Sequence, residues 1–294
     1  YSMNITTKSI AIGSDAYAEA HDKLTHEFTG DSLAADVCMS KYLHHDSEHL
    51  HETSLADMHN RWVNEFDRIE ESFERSTGVR CLTKDRIAYL LQPFKRFVLG
   101  GSPMSGIGLG NFTSMSNCYV IGNDADSYGG IFKTDEEQVQ LMKRRGGVGH
   151  DLSHIRPEGV EVHNSALTTS GVVSFMERFS NSTKEVAQNG RRGALMLSLS
   201  ITHPDADKFI DAKQDLTKVT GANISIKLTD AFMRAVVAEQ DFEQHWVGPQ
   251  GQELKKTANA KALFDKIVNN AWATAEPGVF FWDRILNESN AAVY

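Results

Sequence analysis

Cysteine is scarce in this sequence. Its 294 residues hold only Cys38, Cys81 and Cys118. No two of them stand at the spacing of a zinc-ligand pair, and three scattered thiols do not make a disulfide framework. That usage reads as a reducing, cytoplasmic setting. Positive charge is also in deficit. The formal net charge of −9 argues against a non-specific nucleic-acid binder, although not against a local basic site. No apolar run is long enough to span a bilayer and no signal-peptide pattern occurs, so no membrane association is expected. Internal repeats and low-complexity tracts are missing too. What is present is ample apolar content, 40% of residues, enough for the core of one large domain or two ordinary ones. Tyr1 is not a natural start and Tyr294 follows an unfinished loop, so both ends read as cut.

Residues 1–105 carry helical signals. Leu55, Met58, Trp62, Phe66, Ile69 and Phe73 recur at three- and four-residue spacing, one stripe of a long helix. Ser54 and Asp57 read as a capping box at its start. The histidine-rich patch before it (His44, His45, His49 and His51) lacks cysteines and lies among charges. It reads as a solvated helix face rather than a metal site. A further helix near residues 85–91 meets Pro93, and the glycine-dense segment 100–110 reads as a loop. Its GxGxG string has no strand before it and no clear helix after it, so it is not a dinucleotide fingerprint.

From Asn117 the pattern turns to alternating strands and helices. Strands are expected at 118–121, 147–152, 194–200, 223–228 and 279–282. Helices are expected at 134–144, with Thr134 and Glu137 as a capping box, at 172–186, at 204–213, from Thr229 to Val237, and around Phe264 to Trp272. Residues 242–247 read as a small excursion strand. Repeated βαβ units mean a parallel sheet with right-handed crossovers and strands apolar on both faces or nearly so. Five strands are too few for an eight-stranded barrel. The sheet is either open and doubly wound or half of something larger, and the ragged end favours the second.

Ligands in parallel α/β folds gather at the carboxyl ends of strands. Candidate chemistry is concentrated around the strands here. Cys118, on the first, is either a small buried hydrophobe or a redox thiol in need of a partner. Asp126 and Ser127 follow it, in a segment that is either an ordinary turn or an acceptor of ribose hydroxyls. Arg156 follows the second strand. The loop before the third holds Gln188, followed by Arg191 and Arg192 between Gly190 and Gly193. Those arginines are either solvated beyond a helix end or planar forks for a phosphate or a base. Asp126, Arg156 and the 191–192 loop together would surround one nucleotide.

The strings SNCYV at 116–120, KRRGGVGHDLS at 143–153, GRRGA at 190–194 with HPD at 203–205, TGANIS at 220–225 and EPGVFF at 276–281 resemble the large, catalytic subunit of ribonucleotide reductase. They run in the right order at suitable spacing over about residues 80–290. The resemblance implies an α/β fold with an N-terminal helical region (1–105) followed by the first five-stranded half of a ten-stranded α/β barrel (106–294). It implies that Cys118 is one of the cysteine pair that reduces the ribose 2′ position. Ser102, Asn117 and Gly147 would lie near the substrate. Asp126, Ser127 and Arg156 would hold a deoxynucleoside triphosphate effector, and Gln188, Arg191 and Arg192 would form the loop that links effector to substrate. The implied chemistry is radical. A thiyl radical takes the 3′ hydrogen, the 2′ hydroxyl leaves as water, and a dithiol supplies two electrons.

The implied radical source is adenosylcobalamin, with a metal-radical partner subunit as the other choice. The implied partners are a ribonucleotide, most simply a diphosphate, dNTP or ATP effectors, thioredoxin or glutaredoxin as reductant, and a second copy of the chain in a homodimer. The sequence departs from the family pattern in one respect. The asparagine-proline-cysteine-glycine-glutamate string expected between the two half-barrels does not occur, nor does the second half of the barrel, so this polypeptide alone is not expected to turn over. An isolated nucleotide-binding regulatory module without catalysis is the alternative.

Overall fold

The structure is a computed structural model and describes residues 9–122, 125–186 and 193–293. Gln188, Arg191 and Arg192 therefore lie outside the described residues. The chain divides into two units, residues 1–117 and 118–294.

The first unit is mainly helical. In chain order it contains β1 (Ile10–Ala11), α1 (Asp15–Glu27), α2 (Ser32–Lys41), β2 (His49–Leu50), α3 (Leu55–Thr77), α4 (Lys84–Leu90) and α5 (Gly101–Gly106). The long helix α3 starts where its cap predicts. Ser54 Oγ accepts from Asp57 N, and Asp57 Oδ2 accepts from Thr53 N. Only its first half is buried, through Met58, Arg61, Trp62 and Val63. The later stripe residues Ile69 and Phe73 are 43% and 45% exposed. Arg61 and Glu52 form a buried ion pair at 2.7 Å. Arg61 also donates to the carbonyls of Tyr42 and Ile107. Trp62 Nε1 donates to that of Met104. The bonds to Met104 and Ile107 satisfy backbone acceptors of the glycine-rich 100–110 segment.

Two expectations are corrected in this unit. The histidine patch is not a helix face. His49 belongs to β2, which pairs with β1, and His44 and His45 precede it. Asp46 accepts from the backbone N–H groups of Glu48 and His49, a local turn that competes with helix. The glycine segment is not all loop either, since α5 occupies part of it.

The second unit contains β3 (Cys118–Val120), α6 (Tyr128–Met142), β4 (Gly147–Asp151), α7 (Val172–Glu185), β5 (Leu195–Ser200), α8 (Ala206–Asp211), β6 (Asn223–Leu228), α9 (Asp230–Val237), β7 (Asp241–Val247), β8 (Glu253–Asn259), α10 (Ala260–Thr274), β9 (Gly278–Phe281) and α11 (Trp282–Glu288), ending in a 3-10 turn. Its main sheet is entirely parallel, in the order β3-β4-β5-β6-β9. The order never reverses. A doubly wound sheet reverses at a switch point, which puts helices on both faces. With right-handed crossovers, a sheet that only advances keeps its helices on one face, as a barrel does.

Burial follows this winding. Leu195, Leu197 and Leu199 of β5 are buried, whereas Met196, Ser198 and Ser200 are half-buried. The second face of β5 is therefore partly polar and half-buried, whereas β6 is buried on both faces, with Ser225 and Lys227 on the second. The second face carries a polar network in which Lys227 Nζ donates to Asp151 at 2.8 Å and lies over the Trp282 ring. Ser198 and Ser153 also donate to that carboxylate.

Two further differences matter for the site. Helix α6 begins at Tyr128, capped by Ser127, and not at Thr134. Thr134 is buried within the helix and its hydroxyl donates back to Gly130 O. The glycines at 129–130 look like breakers in sequence. Gly130 instead admits the crossing backbone, because a Cβ there would lie 2.5 Å from Ala125 O. The excursion strand is one arm of a two-stranded hairpin, β7 paired antiparallel with β8.

Candidate functional site

Asp126 and Ser127 leave the carboxyl end of β3, and Arg156 leaves the carboxyl end of β4. Parallel pairing of these strands brings their following loops together. Arg156 Nε donates to Asp126 Oδ2 at 2.7 Å and its backbone N–H donates to Oδ1 at 3.1 Å. Its guanidinium also donates to the carbonyls of Asp126 and Glu161. The pair is largely shielded from solvent, with side-chain exposures of 17% and 6%. Asp126 is therefore first of all the residue that orients Arg156. Removing one member of such a pair strands a shielded charge, a loss of about 3–5 kcal/mol in buried cases.

The loop that carries Arg156 is clamped from β5. His203 Nε2 donates to Ile155 O at 2.8 Å, while its Nδ1 accepts from Asp205 N at 3.0 Å. Those two bonds require the neutral imidazole, and burial lowers its pKa accordingly. Asp205 accepts from Glu158 N in the loop and from Val172 N at the start of α7. It caps a helix whose own N-cap, Gly171, offers no side chain. The HPD string thus holds the loop and helix around the cavity.

Asp126, Ser127 and Arg156 line one cavity of about 220 Å³. Tyr128 and Phe175 supply aromatic walls, their rings meeting edge to face at 6.4 Å. His163, Asn164 and Thr169 come from the loop after Arg156, and Gln250 from the tip of the β7–β8 hairpin. An arginine paired with a carboxylate, a helix N-terminus that favours anions, hydroxyl and amide groups, and aromatic faces together suit a phosphorylated, ring-bearing ligand. Sequence reasoning found the three charged and capping residues and missed the others. The signal for the hairpin was the Gly248-Pro249-Gln250-Gly251 turn between two extended runs.

The other candidates lie elsewhere. Cys118 opens β3 and pairs in register with Gly147, which opens β4. Cys118 is exposed in this chain. It borders an open concavity of about 330 Å³ with Gly149, Met196 and Asn223. Cys118 and Gly147 are thus at the amino ends of their strands. Asp126 and Arg156 follow the opposite ends. At ~3.3 Å per residue, β3 separates the two places by about 10 Å. Within the first unit, Ser102 N donates to Asn117 Oδ1 at 2.7 Å. No disulfide links the cysteines, and no His/Cys/Asp/Glu group suited to a metal occurs, among the described residues.

Residues 116–293 match the family described as "Ribonucleotide reductase, barrel domain". The vitamin B12-dependent ribonucleoside-diphosphate reductase of Mycobacterium tuberculosis (strain CDC 1551 / Oshkosh) is 33% identical over 265 residues, covering 88% of this chain and 37% of the relative. The protein of the same name from Thermoplasma acidophilum is 36% identical over 173 residues, 58% of this chain and 22% of the relative. The vitamin B12-dependent ribonucleotide reductase of Streptomyces clavuligerus is 29% identical over 261 residues, 80% of this chain and 27% of the relative. The chain spans well under half the length of each. The match over more than half of the chain, to a sheet wound in one direction with Cys118 on its first strand, makes this chain a member of the ribonucleotide reductase family.

Proposed function

We propose that this chain supplies part of the catalytic subunit of a ribonucleotide reductase that converts ribonucleoside diphosphates to deoxyribonucleotides. The observation that carries the reading is that one strand, β3, has Cys118 at its amino end and the Asp126–Arg156 cavity beyond its carboxyl end. Cys118 acts as one thiol of a pair. Its oxidation to a disulfide yields two electrons and two protons, and C2′–OH becomes C2′–H with loss of water. Re-reduction of the pair is by thiol–disulfide exchange with a dithiol reductant such as thioredoxin or glutaredoxin. Gly147 keeps backbone beside the thiol where a side chain would crowd the sugar. Ser102 and Asn117 contribute polar groups toward the same substrate.

The cavity takes a deoxynucleoside triphosphate or ATP as allosteric effector. Arg156 and the N-terminus of α6 face its phosphates, and Asp126 and Ser127 its ribose. Gln188, Arg191 and Arg192, which follow α7, convey the identity of the effector to the substrate end of the sheet. Homodimerisation, completion of the barrel by a second half, and a cytoplasmic location belong to the same reading. No described helix is long and apolar enough to cross a membrane.

The relatives named as B12-dependent favour adenosylcobalamin as radical source over a metal-radical subunit. When bound, that cofactor supplies the radical that is passed to a cysteine thiol. The concavity beside Cys118 contains no charged side chain and is lined by glycine, apolar residues and Asn223. These residues do not by themselves make a cobalamin site.

The test is calorimetric titration of this chain with each deoxynucleoside triphosphate. At least one is expected to bind in the micromolar range, and Asp126→Ala is expected to abolish binding, since it removes the ribose acceptor and frees Arg156 from its orientation. Wild-type affinity in Asp126→Ala would refute the assignment of this cavity.

A further inference from the structure

The β7–β8 hairpin has no part in the function proposed so far, yet its tip reaches the nucleotide cavity. Its base is firmly seated. Gln244 is fully buried and its Nε2 donates to Ile201 O at 3.1 Å. His245 N donates to Thr202 O at 2.7 Å. Trp246 is buried, and its Nε1 donates to His154 O at 3.2 Å. His154 stands two residues before Arg156, so the indole fixes the hairpin to the segment that presents the guanidinium.

The tip is also ordered. Gly248 N donates to Gln252 O at 2.7 Å, and Gly251 N donates to Gly248 O at 3.0 Å. Gly248 lies so close to the Trp246 ring that a Cβ there would sit 2.5 Å from Cη2 and 2.6 Å from Gln252 Oε1. Gln252 in turn orients Gln250. Gln252 Nε2 donates to Gln250 Oε1 at 3.2 Å, and Gln250 N donates to Gln252 Oε1 at 3.3 Å. Gln250 lines the cavity, and with its carbonyl oxygen engaged by Gln252 the amide nitrogen is left as its donor.

We propose that the β7–β8 hairpin is a structural wall of the effector cavity, and that Gln250 donates a hydrogen bond to a phosphate oxygen of the bound nucleotide, on the side of Arg156. This inference rests on the nucleotide reading above. The start of α6 makes that side favourable to anions while the Arg156 charge is offset by its Asp126 partner, and a neutral donor adds a directed bond without adding charge. Trp246 and Gly248 are positioning residues that set where the amide stands. The hairpin thereby links the loops after β4 and β5 to ligand occupancy.

The experiment titrates dATP, dGTP, dCTP and dTTP into this chain as wild type, Asp126→Ala, Gln250→Ala, Gln250→Glu and Gly248→Ala, with a thermal melt of each. A bond to a charged oxygen is worth about tenfold or more in affinity. Gln250→Ala should weaken every triphosphate that binds by about that factor, irrespective of base. Gln250→Glu should weaken binding further, since it sets a carboxylate against phosphate. Gly248→Ala retains Gln250 but displaces the tip, and should match the loss in Gln250→Ala. Wild-type affinity in Gln250→Ala or Gly248→Ala, or a loss confined to one base, overturns the phosphate contact while leaving the nucleotide reading intact if Asp126→Ala has lost binding. Absence of binding in the wild type overturns both.

Discussion

His150 and His203 are both buried and both held neutral, and the bonds around each explain why. His150 Nε2 faces Gln138 Oε1 at 3.1 Å, and Gln138 Nε2 donates to Phe179 O and Thr183 Oγ1. The acceptor role of the Gln138 oxygen makes His150 Nε2 the protonated nitrogen. Its Nδ1 is buried without a partner, and a second proton there would be an unsolvated charge. Burial accordingly lowers the His150 pKa from 6.5 to about 4. The linkage follows directly. Because the folded value lies below the unfolded one, the unfolded chain takes up a proton first as the pH falls. The stabilisation is complete above pH 6.5 and is lost progressively toward pH 4. At pH 5 the loss from His150 amounts to about 2 kcal/mol. His203 shifts in the same direction and adds to it. Urea unfolding at pH 7.5 and pH 5 is expected to show this decline, and His150→Gln should flatten it in part. An equally steep decline in the variant would mean that other groups carry the pH dependence.

At the scale of the element, α6 matters most, because its first turn borders the cavity. Ser127 Oγ accepts from Gly130 N at 3.1 Å and satisfies an N–H that the helix leaves unpaired. Ser127→Ala should destabilise the protein by about 1 kcal/mol. It should also weaken triphosphate binding, since fraying of that turn disperses the N-terminal donors. A melting temperature unchanged from wild type would show that the cap contributes nothing. The start of α6 was misread in sequence for an identifiable reason. Thr134 and Glu137 fit a capping-box pattern, and Gly129 and Gly130 look like a break. Only the crossing of the chain at Ala125 reveals that Gly130 serves close approach inside a helix. By contrast, Ser54 before α3 and Thr229 before α9 were legible, because a cap with no nearby intrusion is a local event.

At the scale of the whole molecule, the two units have separate hydrophobic clusters. One is built around Met58 and Trp62, the other around Phe179, Leu197 and Phe209. The residues proposed for the effector lie in the second unit. Trp62→Ala empties a fully buried site in the first, where loss of such a side chain costs about 3–5 kcal/mol. It should lower the unfolding transition of that unit while leaving triphosphate affinity unchanged within about twofold, a difference of roughly 0.4 kcal/mol. A parallel fall in affinity would show that effector binding depends on the first unit.

The sequence by itself determined the alternation of strand and helix after Asn117, the parallel sense of the sheet, the caps of α3 and α9, and the kinship of Asp126, Ser127 and Arg156. These follow from periodicity, from the hydrogen bonding of single side chains, and from short strings read in order. Tertiary structure alone decided that the sheet winds in one direction, its strand order advancing without a reversal. It also decided that Cys118 and the Asp126–Arg156 cavity fall at opposite ends of one strand, and that a hairpin begun more than a hundred residues after Asp126 brings Gln250 to that cavity. Strand order and the meeting of distant loops depend on which long-range pairings bury the most apolar surface with every backbone group satisfied. No window of local sequence carries that sum.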